Sequence, residues 1–174
     1  MELDFEIDKI TESIENAETG ETLDTLVLPV TKADLEEVTK KNGWLFNWKQ
    51  EFSEPEKQLY KLVLEKEPQT IHGIVSLEKR VKHIFMHLIE SAPCNIGKGK
   101  KYLGVCGNLT AYGCKLSKEL GFNGVIAFEP KTALIPHYKK TLGAVQISER
   151  RMAIFEKDAQ VLLDKYFPET EAKS

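Results

Sequence analysis

Residues 101–120, KYLGVCGNLTAYGCKLSKEL, constrain the chain most: a glycine-bearing turn (Gly104, Gly107) opens directly into an amphipathic helix. Lys98, Lys100 and Lys101 stand just upstream. Such a turn sets a row of backbone N–H groups at the positive end of a helix, which suits a phosphate or pyrophosphate. The segment before the loop, HIFMHLIE at 83–90, is apolar on both faces, as a central strand should be. Strand, polar loop and glycine-opened helix together imply a sheet with a ligand-facing strand-to-helix junction.

The glycines fit neither of two common nucleotide fingerprints. Gly97-x-Gly99 lacks the third glycine of a Rossmann turn, Gly104-x-x-Gly107 lacks the middle one, and GKGKK lacks the Ser/Thr of a Walker loop. An ordinary glycine turn capping a helix therefore remains the plain alternative at this point.

Upstream, QLYKLVLEK, IHGIVSLEKR and HIFMHLIE read as three strands joined by short turns, an antiparallel meander, with Tyr60, Leu62 and Leu64 on one face. Before them, Phe5 to Val30 reads as a hairpin: Ile7, Ile10 and Ile14 precede a turn at Gly20, and LDTLVLPV returns. Thr31 caps a predicted helix over 32–41, with Asp34 at the capping-box position and a stop at Asn42-Gly43. GWLFNWKQEF suits a strand or a packed loop, and 53–55 a turn. Downstream, Leu109, Tyr112, Leu116 and Leu120 form one helical stripe. A buried strand VIAF, a helix over 131–142, strands near 144–147 and 152–155 and a closing helix over 157–166 follow, then a polar tail. The expectation is one α/β domain over 1–174. Residues 1–55 carry the hairpin and helix. Residues 56–168 form a ligand-binding core in which antiparallel strands precede a β-loop-α-β-α-β unit.

With 41% hydrophobic and 29% charged residues, the chain of 174 residues is expected to be soluble. Its apolar runs are too short for a membrane span, and MELDFEIDK is acidic where a signal peptide is basic. A net charge of −3 argues against nucleic acid as a partner. Three cysteines without a CxxC pair suggest reduced thiols in a cytoplasm. His83 and His87 on a strand would hold their rings roughly 13 Å apart, so no metal is expected there. Cys94 lacks an evident histidine partner for nucleophilic catalysis.

The stretch KYLGVCGNL, its helix, Gly121-Phe122, VIAF and then ALIPHYKKTLGA (133–144) resemble the GNAT superfamily of acyl-CoA-dependent N-acyltransferases. The match runs over about 71–147, and residues before about Phe52 show no specific resemblance. It implies a GNAT-like mixed sheet, acetyl-CoA or another short acyl-CoA as cosubstrate, no metal, and acyl transfer to a small-molecule or peptide amine. A non-catalytic acyl-CoA-binding sensor is the alternative, and a homodimer is left open. Aligned on Leu109 and Gly121, the pyrophosphate motif falls on Lys101, Gly104 and Cys106. The implied cofactor set is Lys101, Tyr102, Leu103, Gly104, Val105, Cys106, Gly107 and Asn108, with Ser91 and Thr132 beside it. Tyr138 takes the place of the family's thiolate-facing tyrosine, and Glu90, at the end of the central strand, would relay the amine's proton. Two positions depart from the pattern: Lys101 replaces Gln/Arg and loses the planar fork, and Cys106 replaces a Gly/Ala. Lys98, Lys100 and Lys101 could face the 3′-phosphate of coenzyme A.

Overall fold

The computed structural model describes residues 2–9 and 13–168. Gly20, at φ 76°, turns β1 (Ile14–Asn16) back on β2 (Thr22–Leu23). This hairpin is shorter than predicted, and Ile10 lies outside the described residues. β3 (Thr25–Pro29) leaves it to pair antiparallel with β4 (Lys57–Leu64), and the free edge of β1 takes β7 (Tyr102–Leu103) instead. The capping partners over 31–34 form as predicted, with Thr31 N donating to Asp34 Oδ2 at 2.8 Å and Asp34 N to Thr31 Oγ1 at 3.3 Å. A continuous helix does not follow. Two 3-10 turns, Ala33–Glu36 and Lys40–Asn42, stand there, because Thr39 caps the chain a second time by accepting from Asn42 N. Of the aromatic stretch, 43–47 is the packed loop expected, with Trp44 buried, while the residues after it form a short helix that was not expected. Asn47 Oδ1 accepts from Gln50 N at 3.1 Å and starts α1 (Trp48–Ser53), which Trp48 anchors by complete burial.

The meander forms as the alternation implies: β4, β5 (Glu67–Lys79) and β6 (Ile84–Ser91) run antiparallel. The far edge of β6 pairs in parallel with β8 (Ile126–Phe128), which pairs with β10 (Met152–Ile154) and so leads to the edge strand β9 (Val145–Gln146). The order β3-β4-β5-β6-β8-β10-β9 is a mixed sheet of the predicted class. α2 (Val105–Glu119) crosses β5 and β6 and packs on α4 (Glu156–Tyr166), while α3 (Ile135–Leu142) follows a 3-10 turn at Thr132–Leu134. Gly73 permits the close approach of α2, since a Cβ there would lie 2.5 Å from Val105 Cγ1.

The buried face of α2 differs from the predicted stripe. Leu109 is fully buried, Tyr112 and Leu116 are half-buried, and Leu120 is exposed at the helix end. Asn108, Thr110 and Ser117 are buried instead. Each satisfies its side chain on a carbonyl, respectively Gly104 O at 2.7 Å, Cys106 O at 2.8 Å and Val125 O at 2.8 Å. Apolar periodicity cannot register such residues. No helix among the described residues is long and apolar enough to cross a membrane.

Candidate functional site

β6 and β8 are bonded only over Ile84↔Ile126, Phe85↔Ala127 and Met86↔Phe128. Beyond Met86 the strand β6 runs on to Ser91 while β8 has ended, so the sheet opens into a cleft. The loop after β6 is pinned by buried Asn95, whose Oδ1 accepts from Tyr102 N at 3.1 Å and whose Nδ2 meets His72 Nδ1 at 3.1 Å. Gly104 then turns the chain at φ 92° into α2, a conformation open to glycine. Helix N-terminus and cleft therefore face the same end of the sheet.

Residues 3–9 of the same chain lie at this cleft. Leu3 N donates to Glu129 O at 2.7 Å and Lys131 N returns a bond to Leu3 O at 2.7 Å, extending the line of β8. The Phe5 ring stacks on Tyr138 at 4.6 Å, and Ile7 N donates to His137 Nε2 at 3.0 Å. Asp8 then reaches the glycine turn: Oδ1 accepts from Gly104 N at 2.9 Å, and Oδ2 accepts from Lys100 Nζ at 2.9 Å. Tyr166 OH closes the run by donating to Lys9 O at 2.7 Å. Leu3, Phe5 and Ile7 are buried, whereas Glu2, Asp4 and Glu6 are exposed, with Glu6 Oε2 3.6 Å from Lys100 Nζ.

Tyr138 is fully buried beneath Phe5, and its hydroxyl donates to Phe5 O at 2.6 Å. Burial, with the charge of Asp4 beside it, holds that hydroxyl far above the usual tyrosine range. Glu90 is 5% exposed and its carboxylate is enclosed by donors: Leu45 N at 2.7 Å, Phe46 N at 3.3 Å and Trp48 Nε1 at 2.8 Å. Glu90, Ser91 and Cys106 share one cavity of about 280 Å³ with Lys100, Asp4, Phe5, Glu6 and Asp8, a cavity whose wall does not include Tyr138. The Ser91 hydroxyl lies 3.4 Å from Cys106 Sγ, and burial pushes that thiol up to about 12, which leaves it inert at neutral pH.

The other predicted positions are spread along the turn. Lys101 is exposed, with its ammonium 5.6 Å from the Tyr102 ring, and Tyr102 sits edge-on against His72. Leu103 is half-buried. Val105, Gly107 and Asn108 are buried in the first turn of α2, with Gly107 packed beneath Tyr166 OH and Lys9 O. Thr132 is exposed on its 3-10 turn beyond β8. His87 Nε2 meets Glu78 Oε1 at 2.7 Å, and among the described residues no three His, Cys, Asp or Glu side chains converge as metal ligands would. The sequence reading missed Asp8, Asn95 and Trp48. Only Asn95 had a visible signal, as a lone amide in a glycine-rich loop.

Neither a protein-family model nor a curated protein sequence matches the chain. Solved structures do share its fold. The spermidine/spermine N-acetyltransferase SpeG from Vibrio cholerae, in complex with manganese ions, aligns at a TM-score of 0.55 and 15% identity, covering 79% of this chain and 96% of SpeG. AtaTR bound with AcCoA aligns at 0.54 and 13% identity, covering 80% and 98%. A KacTA–DNA complex aligns at 0.51 and 12% identity, again covering 80% and 98%. The chain has the fold of the GNAT acetyltransferases, the architecture that the resemblance implied.

Proposed function

We propose that the protein is an acyl-CoA-dependent N-acyltransferase that moves an acetyl or other short acyl group to an amine. One observation carries this reading: the start of α2 already holds an oxyanion. Gly104 N–H and the Lys100 ammonium grip the two oxygens of Asp8 at the mouth of the cleft. A site that binds a carboxylate in this way has the donors that a cofactor phosphate requires. In this reading the backbone from Leu103 to Asn108 and Lys100 would hold the pyrophosphate. Lys101 stands at the rim, and Ser91 and Thr132 flank the acyl-bearing arm. Coenzyme A, when bound, supplies an acyl group activated as a thioester.

Glu90 lines the cavity and accepts the proton of the attacking amine, which must be neutral to react. Tyr138 Oη is the proton donor once it is released from Phe5 O. SpeG acts on polyamines by its name, and an acidic chain with net charge −3 suits a cationic amine better than a nucleic acid. The free cysteines Cys94, Cys106 and Cys114 fit a reducing cytoplasm.

A second reading, an acyl-CoA-binding module without turnover, is favoured by the engagement of both predicted catalytic groups, Tyr138 on Phe5 O and Glu90 on three donors. Thiol-release assays with acetyl-CoA against polyamines, amino acids, aminoglycosides and lysine peptides separate the two. Amine-dependent release of free CoA is expected. A flat response from protein that binds the cofactor would leave the binding module standing and remove the enzyme.

A further inference from the structure

We infer that residues 2–9 are a built-in competitor for the acyl-CoA cleft, holding the protein closed until they are displaced; this rests on the cofactor reading above. The segment takes both ends of the proposed site at once. At one end the Asp8 carboxylate caps the Gly104 N–H and neutralises Lys100, the two groups that would receive a phosphate. At the other end Phe5 covers Tyr138 with its ring and accepts the Tyr138 hydroxyl on its carbonyl. Between them the segment fills the gap that opens where β8 ends and β6 continues, through Leu3 on Glu129 and Lys131 and Ile7 on His137.

Its composition suits this role. Apolar Leu3, Phe5 and Ile7 alternate with Glu2, Asp4, Glu6 and Asp8, so the run buries its apolar side chains and ends in a carboxylate at the phosphate cradle. The anchor beyond it is firm, for Ile14 is fully buried and β1 is paired with β7, the strand that leads into Gly104. Leaving the cleft requires no break in the main sheet. A ligand that must wait for an open form binds with its intrinsic affinity scaled by the open fraction.

The test titrates coenzyme A into the full chain by calorimetry and follows amide hydrogen exchange at millimolar coenzyme A. Asp8→Ala frees the Gly104 N–H and removes the nearer of two carboxylates at Lys100, leaving Glu6 Oε2 at 3.6 Å, and its apparent affinity should exceed wild type by roughly 10- to 100-fold, the worth of a charge-assisted bond. Asp8→Asn keeps an acceptor for Gly104 but not the charge, and should fall between the two. In unsubstituted protein, coenzyme A should speed exchange at the Leu3 and Ile7 amides, the reverse of the slowing that ligands ordinarily cause. That measurement decides the matter even where a variant fails to fold. Equal affinities with unmoved Leu3 and Ile7 amides would overturn the competitor and leave the cofactor reading intact. Folded proteins that bind no coenzyme A at all would overturn the cofactor reading, and the competitor with it.

Discussion

The two edges of β6 are built on opposite plans. Toward β5 it is paired from Lys79↔Ile84 to Gly73↔Ser91, and α2 presses on that seam through Gly73. Toward β8 the pairing stops after Met86↔Phe128, and what lies beyond is a cavity, a ring stack and a handful of bonds to residues 3–9. One strand thus separates a laddered, helix-covered seam from an open cavity. Complete pairing leaves nothing free to recognise anything; incomplete pairing leaves groups that must be satisfied by something else.

The largest expected effect tests the residue that serves both edges. Glu90→Leu orphans the Trp48 indole N–H and the Leu45 and Phe46 amides and should cost about 2–4 kcal/mol in chemical denaturation, because buried donors lose their acceptor. A cost below 1 kcal/mol would show that water reaches these donors and that Glu90 does not hold 45–48 in place. Gly73→Ala drives a methyl into Val105 on the closed seam, and a loss of roughly 1–3 kcal/mol is expected, read as a lower denaturation midpoint. An unchanged midpoint would mean that the two edges of β6 are equally yielding.

Tyr138→Phe acts on the open edge. Deleting the hydroxyl removes one bond to Phe5 O, worth about 1 kcal/mol, and coenzyme A should then bind slightly more tightly. Turnover should fall by roughly 10²- to 10⁴-fold if the hydroxyl is the proton donor. Affinity and rate moving in the same direction would remove Tyr138 from one of its two roles.

The smallest effect is a pH dependence. Burial is the main cause that holds His72 below the usual imidazole range, and Lys101 adds to it against Glu67. A lowered folded value means that the unfolded chain takes up the proton first, so stability is complete above the unfolded value near 6.5 and declines as pH falls below it. His83 is lowered for the same principal reason and adds to the decline. His72→Gln should flatten part of the decline in melting temperature between about pH 6.5 and 5; an unaltered curve would assign it all to other groups.

The closed half was legible because its sequence states its own period. Tyr60, Leu62 and Leu64 and the apolar β6 each specify local geometry directly, as does, on the open side, the glycine turn at 104. α1 was not, because GWLFNW has strand-like composition while the deciding signal was one amide cap at Asn47. The open half was hidden for another reason. Glu90 is buried by residues more than 40 positions away, and the alternation over 2–8 announces a strand without saying which edge it will meet. Asp8 and Gly104 are 96 residues apart, and only the folded chain brings them together.

The tether has a consequence for dosage. A free inhibitor can be diluted away, but residues 2–9 are joined through a short connection to a hairpin fixed beside the cradle, which keeps them at an effective concentration on the order of millimolar. On the inference that residues 2–9 compete with acyl-CoA, opening would depend on how much acyl-CoA surrounds the protein and not on how many copies of the protein are present. Each molecule would then carry its own threshold, identical in every copy and insensitive to expression level, so the population would respond to the supply of activated acyl groups as a gauge rather than as a titration.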